Sequence, residues 1–182
     1  MLVKYRRLYA VLFALTFANA IRADGNPAND PEIQKTLLAM ANASTLYHPD
    51  LFGEFAGMRC YTHHQYACAK KNFEYGALYA DKLSQLSIGL MYVNGEGRNK
   101  DPVMAYAWLD LAAERDYPNF VATRDRVKAT LTAEQMAQAK ALRNTLGERY
   151  GDAVAQPRMA VQLRQGLMQM TGSHTGFNSG IG

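Results

Sequence analysis

The chain has 182 residues, 48% of them hydrophobic and 20% charged, and a formal net charge of +4. Its length suits one domain with a core of its own. Removing residues 1–20 takes away Lys4, Arg6 and Arg7 and leaves +1 on 162 residues, with the remaining basic side chains dispersed, which argues against a nucleic-acid-binding surface.

Met1 to Ala20 carries a basic start, an apolar stretch from Leu8 to Ala18 and Ala18-Asn19-Ala20 as a small-x-small cleavage site, the pattern of a secretory signal peptide. The apolar stretch is too short to span a bilayer, so no stable membrane anchor is expected after signal removal. No cysteine lies near the cut, which argues against a lipid-anchored form. The expected product is exported, periplasmic or secreted.

Residues 21–29 read as a polar linker, and Asp30-Pro31 opens an N-terminal helix with Ile33, Leu37, Leu38 and Met40/Ala41 on its apolar side. A degenerate hairpin is expected over about 50–80. Its first helix, Asp50 to Tyr61, is entered through His48-Pro49-Asp50, and its second runs from Gln65 to Ala80. Phe52, Phe55, Met58, Tyr66 and Phe73 supply its apolar residues.

Cys60 and Cys68 flank the Thr62-His63-His64-Gln65 turn between these helices. In an oxidising compartment an even cysteine pair reads most simply as a disulfide. Antiparallel helices across a tight turn can bring the Cα atoms within the roughly 7 Å that a bridge tolerates. Two other states stay open: free thiols, and a zinc site made from Cys60, His63, His64 and Cys68.

The clearest segment runs from Ile88 to Glu114. Leu86, Gly89, Leu90 and Val93 share one helix face, and the helix is expected to stop at Asn94-Gly95, residues suited to a left-handed cap. After Gly95-Glu96-Gly97, Asp101 is an N-cap with Pro102 at the first helical position. Ala105, Trp108, Leu109, Ala112 and Ala113 form an apolar stripe whose alanines allow close approach to Gly89, with Trp108 filling the space beside it. The two helices are therefore expected to pack antiparallel.

Gly89, Tyr92, Gly95, Gly97, Asp101, Ala105, Trp108, Ala112 and Ala113 fall in register with the SEL-like repeat (SLR), so the chain resembles a secreted bacterial-type member of that tetratricopeptide-like family over about one full repeat. It departs from the pattern at Arg98, where a small apolar residue is usual, and at Asp116, where glycine is common. The resemblance implies an αα-solenoid acting as an adaptor or scaffold. Secreted cysteine-rich members also carry paired cysteines with the spacing of Cys60 and Cys68, commonly joining neighbouring helices. Because one hairpin cannot bury its own apolar face, the unit must recur. Thirty-five residues before Trp108 stands Phe73, and Ala77 follows it as Ala112 follows Trp108.

Beyond the clear repeat, about 81–116, residues 118–170 are expected to form capping helices. The first is Pro118 to Leu131, with Phe120, Val121, Val127 and Leu131. Thr132-Ala133-Glu134-Gln135 has the capping-box pattern and opens a second, with Met136, Ala139, Leu142 and Leu146. A last helix, Pro157 to Met170, places Met159, Leu163, Leu167 and Met170 on one face. The glycine-rich segment 171–182 has no periodicity and is expected to be disordered. The expected fold is all-α: a short αα-solenoid of about two hairpins, in one domain over 30–170.

No nucleophile elbow, HExxH, phosphate loop or CxxC pair occurs, and a turn explains the glycines of Gly95-Glu96-Gly97. Glu96 and Asp101 make a poor acid/base pair because Asp101 has a capping role, and Ser173-His174 lacks a supporting acid. No catalytic, cofactor-binding or metal residue is assigned. The expected function is non-enzymatic: a module binding an unknown protein or peptide in a groove lined by first-helix residues such as Tyr92. The alternative, supplied by the resemblance alone, is a cell-wall-related ligand binder or enzyme that binds or hydrolyses β-lactams.

Overall fold

The computed structural model describes residues 30–43 and 47–172. The expected signal peptide with Ala18 and Ala20, the 21–29 linker and the tail from Ser173 onward lie outside the described residues. Among those described, eight α-helices and no strand occur: α1 (Pro31–Ala43), α2 (Pro49–Thr62), α3 (Tyr66–Ala77), α4 (Lys82–Asn94), α5 (Pro102–Ala112), α6 (Pro118–Lys128), α7 (Ala133–Tyr150) and α8 (Asp152–Gly172). A short 3-10 turn, Ala113–Arg115, extends α5. The helices form a short αα-solenoid in which α2 pairs with α3, α4 pairs with α5, and α3 packs against α4 to join the two pairs.

Local chemistry sets the ends of the second hairpin. Gly95 closes α4 at φ 76°, and Asp101 opens α5 by accepting from the amides of Val103 (3.0 Å) and Met104 (2.9 Å) with Pro102 at the first position. The 3-10 turn ends at Asp116 with φ 54°, so the aspartate adopts the left-handed conformation in which the repeat pattern favours glycine.

The two hairpins share a core containing Phe73, Ile88, Tyr92, Trp108 and Leu111. Phe73 and Trp108 are both nearly inaccessible, and Ala77 and Ala112 are fully buried, which gives the 35-residue spacing its packing meaning. Helix α4 is buried on more than the single face expected. Leu86 packs with Leu109 and Ala112, while Ile88, Met91 and Tyr92 point into the main core. Gly89 approaches the expected stripe of α5 closely, at Leu109 and Ala105. A Cβ there would lie 2.7 Å from Leu109 Cγ and 3.3 Å from Ala105 O, so Leu109 fills that space. Trp108 instead meets Tyr150 of α7, ring centroids 4.8 Å apart. Gly89→Leu is expected to destabilise by about 2–3 kcal/mol, measured as a lower urea midpoint, because the added side chain must displace Leu109.

The capping helices correct three expectations. Helix α1 packs against α2 as a cover on the first hairpin, with Gln34 reaching Thr62 and His63, but Leu38 of its expected apolar side is 44% exposed, and the side chains of Leu37, Met40 and Ala41 lie outside the described residues. Helix α6 ends at Lys128, short of Leu131, and none of its residues is fully buried. Helix α8 begins at Asp152 and carries Pro157 inside it, on an exposed position. Proline favours first turns, but the break falls earlier: the Gly151 amide closes α7 on Gly147 O and Gly151 turns extended, so Asp152 starts the next helix. Helix α8 meets the body through Ala155, Arg158 and Gly166, whereas Leu163 and Leu167 are 38% and 59% exposed. The α7 capping box is present in full, from Thr132 and Gln135.

Candidate functional site

The charged residues of the array converge where α4, the 3-10 turn, α7 and α8 meet. Lys82 opens α4, yet its side chain is only 4% exposed. Its Nζ lies 2.7 Å from Glu114 Oε2 and 2.9 Å from Asp152 Oδ1, and it also donates to Leu111 O and Gln85 Oε1. Arg115 grips Asp152 through Nε (2.8 Å) and Nη2 (3.1 Å) and also reaches Ala80 O. Arg143 of α7 joins Glu114 (2.6 Å) to Asp110 (3.2 Å). Burial pushes the Asp152 carboxyl up, but the hydrogen bonds from Arg115 and Lys82 outweigh it and hold the group below the usual carboxylate range. Ion pairs and hydrogen bonds occupy this network, so it locks the C-terminal helices onto the second hairpin. Its members are too far apart in sequence for spacing to have shown it.

An open cleft of about 350 Å³ borders this lock at the N-terminal ends of α2 and α4. Asp50, Asp81, Leu83, Arg115, Tyr117 and Phe120 line it. Leu83 and Tyr117 are 44% and 48% exposed, and Tyr117 meets Phe120 edge-on at 5.5 Å. One wall is acidic. Asp81 caps α4 by accepting from the Ser84 amide at 2.6 Å, and the buried Asp50 Oδ1 atom lies 3.5 Å from His48 Nδ1. Burial raises the Asp81 carboxyl despite its contacts to Ser84. Glu54, one helical turn after Asp50, is pushed up to about 7 by burial first and then by Asp81 and Asp50.

That carboxyl has a measurable consequence for stability. A folded-state value above the ordinary 4.5 means the native protein holds the proton more tightly than the unfolded chain, so stability falls as pH rises from about 4.5 to about 7. Glu54→Gln is expected to be more stable than wild type near pH 8 by roughly 1–2 kcal/mol, discounted for partial exposure, and nearly equal near pH 4. Thermal melts of both proteins across this range check it.

The expected repeat residues fall into structural positions. Gly89, Ala105, Trp108, Ala112 and Ala113 are buried in the hairpin, Asp101 is a cap, and Gly95 and Gly97 take φ values of 76° and 75°. Tyr92 does not line a groove. It is 4% exposed, its hydroxyl accepts from Arg98 Nη1 at 2.7 Å, and the Arg98 guanidinium lies 5.0 Å from its ring centroid. The side chain at position 98 thus covers Tyr92. Cys60 and Cys68 have their sulfurs 2.06 Å apart and Cα atoms 5.7 Å apart, within one hairpin. The two histidines of the zinc alternative turn elsewhere: His63 meets Gln34 (2.9 Å) and His64 meets Tyr66 (3.0 Å).

No family model matches the chain, and no curated protein matches it in sequence. Among solved structures, it is similar to a protective antigen present in uropathogenic Escherichia coli strains and displaying an SLR fold, at 20% identity and a TM-score of 0.46. The match covers 85% of this chain and 35% of that one, so the chain spans about a third of that structure's length. The cleft itself escaped the sequence because its walls come from three separated segments. The one local signal was an unexplained pair of apolar side chains, Leu83 and Tyr117, just outside the hairpin's core pattern.

Proposed function

We propose that the protein is an exported interaction module that holds a peptide or protein segment in the cleft between Asp50, Asp81, Leu83 and Tyr117. The observation that carries this reading is the cleft's make-up: exposed Leu83 and Tyr117 beside carboxylates, at an end of the array where the backbone is already fixed by the α4 cap and the ionic lock. Partner sites combine exposed aromatic anchors with a polar surround in this way. Export is supported by the N-terminal signal pattern, and a Cys60–Cys68 bridge is compatible with it. No described helix is long and apolar enough to cross a membrane.

The test is affinity capture from periplasmic extract with wild type and with a Leu83→Asp/Tyr117→Ala variant matched for melting temperature. A partner retained by wild type and lost by the variant is expected. Equal capture by both, or none by wild type, contradicts the reading.

A further inference from the structure

The first hairpin is held by a seam of close contacts that ends in the cysteine pair. Near its open end, a Cβ on Gly53 would lie 2.2 Å from Gly76 N; one turn on, a Cβ on Gly57 would lie 2.4 Å from the Phe73 ring; at the closed end stand Cys60 and Cys68. Asn72 joins them there, donating to Cys68 O at 2.9 Å. Two tyrosines extend from this closed end toward the second hairpin. Tyr61, next to Cys60, donates its hydroxyl to Glu96 Oε1 at 2.8 Å, and Tyr66, which opens α3, has its Cβ 2.7 Å from where a Cβ of Gly97 would stand. Their rings pack edge-on at 5.7 Å. Glu96 Oε2 is buried and has no hydrogen-bond partner among the described residues, so the hold on the Glu96 carboxylate runs through Tyr61.

We propose that the Cys60–Cys68 bridge is a redox-controlled brace on the joint between the two hairpins, and that reducing it releases the Gly95–Lys100 loop while leaving both hairpins folded. The bridge braces the spacing of Tyr61 and Tyr66, which lie on different helices but contact the same loop, across a turn that also carries bonds from His64 N to Tyr61 O and Gln65 N to Cys60 O. A dithiol reductant supplies two electrons and two protons, the sulfur–sulfur bond becomes two thiols, and the reductant becomes its own disulfide. The glycine contacts at Gly53 and Gly57 do not involve the sulfurs, so α2 and α3 stay paired. What loosens is the closed end, and with it the two tyrosine contacts, so that the loop keeps its Arg98 contact to Tyr92 and its end bonds from Glu96 N to Met91 O and Asp101 N to Tyr92 O but loses its hold on the first hairpin.

Limited trypsin digestion reads this directly, because Arg98 and Lys100 are cleavage sites in the exposed loop, while Arg126, Lys128 and Lys140 are exposed sites in the C-terminal helices. Adding dithiothreitol to the native protein is expected to speed cleavage after Arg98 and Lys100 roughly tenfold, the scale of losing one hydrogen bond to a charged group, with the C-terminal sites unchanged. A Cys60→Ser/Cys68→Ser variant should show the same pattern without reductant. Tyr61→Phe, with the bridge intact, should also open the loop. Equal loop cleavage with and without reductant, acceleration at every site in parallel, or a native mass showing two free thiols would overturn the proposal.

Discussion

Replacing Gly53 with alanine is expected to destabilise the protein by about 3 kcal/mol or more, among the largest effects of any single methyl group in the chain. The added Cβ would stand 2.2 Å from Gly76 N, 2.5 Å from Gly76 Cα and 2.7 Å from Asn72 O. All three atoms are backbone, so no rotamer change relieves the contact, and α2 must move away from α3. That movement would also disturb Gly57 against Phe73 and reach the shared core. Gly147→Ala in α7 is the control. Its nearest neighbour is the Arg143 guanidinium at 3.1 Å, which can shift, so the change should stay within about 1 kcal/mol as helix propensity offsets the contact. Urea unfolding of both variants measures the difference.

The second large effect is expected at Lys82. Lys82→Met removes a buried ammonium from Glu114, Asp152, Leu111 O and Gln85 at once and leaves two carboxylates short of a cation. Breaking a buried pair on one side usually costs about 3–5 kcal/mol, and Arg143 and Arg115 still partner these carboxylates, so about 3 kcal/mol is expected. The pH dependence identifies the cause. Asp152 has a depressed value, so its contribution is present above the ordinary 3.8 and is lost as pH falls below it. The gap between wild type and Lys82→Met should therefore narrow in acid. A gap of the same size at every pH would point to lost packing instead.

Features decided within a few residues could be read directly from the sequence. Asp101-Pro102 needs only its own helix start, Gly95 only its own cap, and Thr132 to Gln135 close on each other, so each appears where the residue types place it. The spacing of Phe73 and Trp108 was legible for a related reason, since a repeated core position must repeat its side-chain type. Contacts between distant segments were not. Gly53, Gly57 and Gly76 look like weak helix positions until α2 and α3 are placed together, when they become the points of closest approach. Lys82 looks like an exposed first-turn lysine until α8 brings Asp152 to it. Tyr92 carries the repeat pattern, but whether it is open to a partner depends on Arg98, a departure from that pattern, which folds over it. Pro157 misled because the preference of proline for helix starts is weaker than the chain break at Gly151.

The candidate site was the least legible part. Its walls are assembled from the starts of α2 and α4 and the segment after α5, none of which carries a motif. The residues singled out in the sequence proved to hold the array together, and those facing the cleft are ordinary side chains made notable by position.

Helix α4 is the shared middle of one array, packed by α3 on one side and α5 on the other. Native-state hydrogen exchange of the purified protein, read by mass spectrometry, tests this packing most directly. Amides of α4 and α5 should exchange slowest, those of α3 should open together with them, and α1 and α6 should exchange faster. If α2–α3 and α4–α5 exchange as two independent units, or if α4 exchanges as fast as α6, the stacked-hairpin account is contradicted.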